Sequence, residues 1–131
     1  MARLILDTTF LIDAERSGQA LADAVDESDD VAIAAITATE LLLGARLSDG
    51  ARRTAREQYV NDVLREVTVE DYDLTVARAH AELLAWTRRT GKPRGAFDLI
   101  IAATAVATKR TVVTSDERGF DGLPNVAIQP H

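Results

Sequence analysis

Three short apolar runs, RLIL at 3–6, VAIAAI at 31–36 and TVVT at 111–114, are separated by stretches long enough to form helices. Four to six residues is strand length, and a strand covered on both faces reads as a continuous apolar run. Parallel strands need a long crossover between them, usually a helix. The spacing therefore predicts an α/β fold, a three-layer α/β/α sandwich with a mostly parallel central sheet.

Between these runs the helices are marked by caps and periodicity. A short helix follows Asp7 to about Glu15, and residues 19–28 form a second helical stretch with Leu21, Ala22 and Val25 on one face. Thr37 and Thr39 are N-cap candidates for ATELLLGARL, which Ser48, Asp49 and Gly50 break before a polar helix from about Ala51 to Leu64. Residues 67–69 add a very short strand. Asp71 or Asp73 caps a helix over 74–90 that places Val76, Ala79, Leu83, Leu84 and Trp86 near one stripe and ends at Gly91 and Pro93. Twelve residues from Phe97 are nearly all apolar or small, which suits a helix buried on most sides. Residues 126–129 read as an edge strand stopped by Pro130. Gly44, inside ELLLGA, is expected to let its helix pack closely. The 131 residues contain no internal repeat and are expected to form one domain, 1–131.

Composition removes several chemistries. With no cysteine there is no disulfide framework, thiol nucleophile or thiolate-held zinc, and two histidines are too few for a multi-histidine metal site. Any metal is held by oxygen. The apolar start is too short for a secretory signal, and no uninterrupted apolar segment reaches the roughly 18 residues that span a bilayer, so a cytoplasmic location away from membranes is expected. The net charge of −6 argues against broad nonspecific nucleic-acid binding, yet residues 1–50 hold 3 basic and 10 acidic residues and the remainder is near balance.

In open parallel α/β sheets the ligand crevice lies beyond the carboxyl ends of the strands, where the strand order reverses. Asp7 ends the first strand and Asp116 lies two residues past TVVT. Glu40 follows the second strand in the first turn of its helix, and Asp98 begins the helix that leads into TVVT. Each alone is an ordinary turn, cap or helix-dipole residue. Together they place four acids on one rim. Gathered carboxylates repel one another and need a counter-charge, for which Mg²⁺, or Mn²⁺ in its place, suits an all-oxygen donor set.

At this point the chain resembles a known family, the PIN-domain ribonucleases, and more closely the VapC toxins of bacterial type II toxin–antitoxin pairs. The matching segments are LILDTTFLID, TATELLLGA, AFDLIIAATA and TVVTSDERGF, in family order and across nearly the whole chain. The resemblance implies acidic metal-binding residues at Asp7, Glu40, Asp98 and Asp116, with the family's polar residue before the last acid at Thr114 and Ser115 as its near neighbour. It also implies an active homodimer, and inhibition by a small VapB-like antitoxin whose tail covers the acidic cleft.

The expected reaction is Mg²⁺-dependent hydrolysis of an RNA phosphodiester by an endoribonuclease toxin. Asp7 and Asp98 are the first choices as ligands, Asp116 completes the shell, and Glu40 acts through water or orients the attacking water. Thr8, Thr9, Thr114 and Ser115 are short hydroxyl side chains able to fix carboxylate orientation. Arg88, Arg89, Lys92 and Arg94, the densest basic segment, are candidates for RNA phosphate contacts, with a solvated helix end as the plainer reading. Arg52, Arg53 and Arg56 read as a solvated face or part of an antitoxin contact, Trp86 as core or interface, and His80 and His131 have no evident partner. Two other classes compete. One is a phosphotransfer or phosphatase domain with Asp7 as nucleophile, although haloacid-dehalogenase-type enzymes want an acid where Thr9 stands. The other is a noncatalytic PIN-like interaction module, which has no reason to gather repelling charges.

Overall fold

The computed structural model describes residues 1–131. The elements in order are β1 (Arg3–Leu6), α1 (Thr8–Arg16), α2 (Leu21–Ala24), β2 (Asp30–Ala34), α3 (Ala35–Arg46), α4 (Gly50–Glu66), β3 (Thr68–Glu70), α5 (Leu74–Thr90), α6 (Ala96–Thr108), β4 (Thr111–Thr114), a 3₁₀ turn (Glu117–Gly119) and β5 (Ile128–Pro130). The five strands form one sheet in the order β3-β2-β1-β4-β5, with every pairing parallel.

Alternation along the strands divides the core between the two faces of the sheet. Ile5, Ala34 and Val112 pack with Val76 and Leu83 of α5, with Leu99, Ile101, Ala102, Ala103 and Ala105 of α6, and with Phe120 and Leu123. Leu4, Leu6, Ile33 and Val113 pack on the opposite face with Phe10 and Leu11 of α1, Leu21 of α2, Leu41 and Ala45 of α3, and Val60 and Val63 of α4. The sandwich is thus three-layered, as expected, and wholly parallel. No helix is long and apolar enough to cross a membrane.

Local departures from the sequence reading have identifiable causes. Residues 19–28 yield only the four-residue α2, because that stretch supplies one buried anchor, Leu21, and then runs into the acidic turn before β2. β2 passes directly into α3 at Ala35, so Thr37 and Thr39 lie inside the helix and cap nothing. Thr37 is fully buried there, 3.3 Å from the Thr8 hydroxyl. Asp73, not Asp71, caps α5 by accepting from the Val76 amide at 3.0 Å, and Gly91 closes that helix in the left-handed region at φ 66°. β5 includes Pro130, which an edge strand tolerates. A Cβ at Gly44 would meet only the end of the Arg56 side chain, at 3.5 Å, so no tight packing there requires glycine.

The strand order reverses between β1 and β4. The register pairs Leu6 with Val113, which sets Asp7 beside Thr114 at the carboxyl edge, and the Asp7 amide donates to the Val113 carbonyl at 3.1 Å.

Candidate active site

Asp7 is the fixed point of this rim. It is 2% exposed and caps α1, its Oδ1 accepting from the Phe10 amide at 2.9 Å. Thr9 Oγ1 lies 2.9 Å from both carboxylate oxygens, and the buried Thr114 hydroxyl donates to Oδ2 at 2.7 Å. Burial pushes the Asp7 carboxyl above its ordinary range, against the pull of the Thr114, Phe10 and Thr9 hydrogen bonds, and the neighbouring Asp116 charge adds to the rise. A carboxylate with both oxygens engaged in this way is poorly placed to attack phosphorus, which weighs against a nucleophilic Asp7.

Asp98 is held differently. It stands in the first turn of α6, whose next turns are locked into the core by Leu99, Ile101, Ala102 and Ala103. The carboxylate is half-buried and packs against backbone: a Cβ placed on Gly119 would sit 2.6 Å from Oδ2, and one on Gly95 would sit 3.1 Å away. Its pKa is raised first by burial and then by the charges of Asp7, Glu40 and Asp116. Asp98 therefore feels the other three acids at this rim. Glu40, in α3, is oriented by Thr8, whose hydroxyl donates to Oε1 at 2.7 Å.

Asp116 departs from the sequence reading. Its carboxylate caps the 3₁₀ turn and is forked by Arg118, with Nε on Oδ1 at 2.9 Å and Nη2 on Oδ2 at 3.0 Å. That contact draws its pKa down. In this arrangement no three acidic or histidine side chains converge closely enough to enclose an ion, so the expected four-acid shell is not preformed. The donor set nevertheless fits Mg²⁺ in kind. Its donors are hard oxygens, the acids repel one another, and Mg²⁺ usually takes one or two carboxylates and keeps several waters.

The remaining candidates separate clearly. Thr8, Thr9 and Thr114 each hold a carboxylate, whereas Ser115 is exposed and lines a shallow groove with Phe10, Asp13 and His131. Arg88, Arg89 and Lys92 are exposed near the start of α6. Arg94, unlike the other three, is engaged within the protein, donating to the carbonyls of Lys92 and Asp121. Of the second basic group, Arg53 pairs with Glu57 and Arg56 with Glu15. Trp86 packs against the core, and His80 Nδ1 meets the Tyr72 hydroxyl at 2.8 Å. Sequence reasoning missed Arg118 and Gly119. The i, i+2 acid–arginine pair in SDERGF was the available sign of the first; the second needs the fold, because its neighbour Asp98 is distant in sequence.

Known proteins resemble this chain in sequence and fold. The family model for the PIN domain matches residues 4–126. A VapC ribonuclease, Y4jK, of Sinorhizobium fredii is 36% identical over 102 residues, covering 75% of this chain and 73% of that protein. A tRNA(fMet)-specific endonuclease VapC of Salmonella typhimurium is 32% identical over 97 residues, covering 74% and 72%. Among solved structures, DNA-bound VapBC from Salmonella typhimurium superposes with a TM-score of 0.87 at 27% identity, over 99% of this chain and 98% of that one.

Proposed function

Because the chain belongs to the PIN-domain family, we propose that it is a Mg²⁺-dependent endoribonuclease, the toxin of a VapBC-type toxin–antitoxin pair, and that it hydrolyses RNA at the Asp7–Asp98 rim. One observation carries the assignment of the site. Four acids from four separate segments lie along the rim where the strand order reverses, and the charges of the other three add to burial in raising Asp98. A structural cap has no use for that cost.

Asp7 and Asp98 are the residues that would hold the cation, joined by Glu40 through water and by Asp116 once Arg118 releases it. Bound there, Mg²⁺ supplies Lewis acidity at the phosphoryl oxygens and a nucleophile usable at neutral pH. The protein's own part is positioning. Thr9, Thr114 and the Phe10 amide fix both oxygens of Asp7, so that it needs little reorganisation. The packed body of α6 fixes Asp98, and Thr8 fixes Glu40. Arg88, Arg89 and Lys92 take flanking phosphates, a charge-based grip that carries no base information.

Surface chemistry supports a protein partner. Leu42 and Leu43 of α3 and Leu47 just after it are exposed, and Leu42 shares a groove with Ala45 and Val60 between α3 and α4, the kind of apolar face an antitoxin would cover. A second copy is the other expected partner, forming a homodimer.

The test is to map new RNA ends in cells expressing the wild-type chain or Asp98→Ala. Discrete ends are expected with the wild type alone. Identical ends with both proteins would remove Asp98 from the chemistry, and intact RNA with both would favour a noncatalytic module.

A further inference from the structure

Asp98 and Asp116 lie on segments distant in sequence, the first turn of α6 and the turn after β4, so their spacing depends on how those segments are joined. The segment 116–122 leaves the end of β4 and is anchored to the core through Phe120. Its link to the start of α6 is Arg94. One guanidinium nitrogen donates to the Asp121 carbonyl and the other to the Lys92 carbonyl at 3.1 Å, and the group lies 5.9 Å from the centre of the Trp86 ring. Nη2 is also within 3.8 Å of a Cβ built on Gly122.

From this joint the two acids follow by short paths. Arg94 immediately precedes Gly95, the N-cap of α6, and Asp98 is one turn on. Asp121 is bonded back to Glu117, so its position sets the 3₁₀ turn that Asp116 caps. Between them the backbone of Gly119 rests on the Asp98 carboxylate, too close for any Cβ. Arg94 Nε is buried with no hydrogen-bond partner. An unmet buried donor is costly, and such costs concentrate where a side chain is kept for its position.

We propose that Arg94 is a positioning residue that fixes the Asp116 turn against Asp98 and so sets the spacing of the divalent-cation site, an inference that rests on the metal-site reading above. It acts through backbone carbonyls and touches neither RNA nor cation. The forked geometry matters, since separate guanidinium nitrogens hold the two carbonyls at once, where a lysine has a single nitrogen on a flexible stem.

The test is Mn²⁺ titration by calorimetry of wild type, Arg94→Met, Arg94→Lys, Gly119→Ala and Asp98→Asn, beside the fluorescence of Trp86, the chain's single tryptophan. Arg94→Met is expected to weaken Mn²⁺ binding on the order of 10-fold and to shift the Trp86 emission, the size seen when an outer-shell contact to a metal site is lost. Arg94→Lys should recover part of the affinity. Gly119→Ala should lose a similar amount while leaving Arg94 in place, and it carries the test if Arg94→Met fails to fold. Wild-type affinity in folded Arg94→Met would overturn the proposal, as would a loss confined to the KM for RNA, which would make Arg94 a phosphate contact. A wild-type chain that takes up no Mn²⁺ would overturn the metal-site reading itself, and this inference with it.

Discussion

Asp98→Asn is expected to melt higher than the wild-type chain in the absence of metal and to cleave RNA hundreds of times more slowly. The carboxylate is half-buried among three other acids and accepts no hydrogen bond from the protein, so the amide loses no partner and removes a repelling charge. The sign follows from linkage. A carboxyl whose folded pKa lies above its ordinary value of 3.8 binds its proton more tightly in the folded state, so its ionisation costs stability as pH rises from about that value through the raised one. Asn escapes that cost. The gain over wild type should therefore be small near pH 4 and full at neutral pH, where it appears as a higher Tm. Activity moves the other way, because a ligand worth several kcal/mol of transition-state stabilisation corresponds to roughly 10²–10³-fold in rate. Melting curves at pH 4 and pH 7, with cleavage assays on the same samples, check both halves. A substitution that lowers Tm at neutral pH would show that Asp98 serves the fold.

Asp7→Ala is expected to be equally inactive and, unlike the first variant, less stable. Its side chain caps α1 and accepts from Thr9 and Thr114. Losing an N-cap costs about 0.5–2 kcal/mol, and stranding a buried hydroxyl adds roughly 1–3 kcal/mol. Thr114 keeps its contacts with the Asp116 backbone, so the lower part of that second range applies. Relief of the buried charge returns part of the loss. A net fall on the order of 1–3 kcal/mol should appear as a drop of several degrees in Tm. Asp7→Asn separates the two roles, since the amide oxygen can still cap α1: near-wild-type melting with activity lost is the expected outcome. If Asp7→Asn cleaved RNA at the wild-type rate, Asp7 would be a cap and nothing more.

The strands, the long helices α5 and α6, and the rim on which the acids fall are governed by periodicity and by the general rule for parallel sheets, both local or topological signals. RLIL is followed by Asp7 and TVVT ends in Thr114 at the same edge, and that alone places Asp7 near Thr114. Capping is less legible. Thr37 looks like a cap from its neighbours, but β2 continues straight into α3 and the residue is buried against Thr8. The detailed site was hidden for a related reason. Whether Asp116 faces Asp7 or Arg118, and whether Arg94 points outward or into the joint with Asp121, depends on a turn whose path is set by contacts distant in sequence. The close approach of Gly119 to Asp98 joins two segments that only the assembled sheet brings together.

The most direct measurement is the rate at which the purified chain cleaves a defined single-stranded RNA as Mg²⁺ is titrated from zero, in excess chelator, up to millimolar concentration, with Asp98→Asn carried through the same series. Cleavage should be absent in chelator, rise and saturate with Mg²⁺ for the wild type, and stay at background for the variant at every concentration. Cleavage that persists in chelator, or that rises equally in both proteins, would contradict a carboxylate-held metal site at this rim.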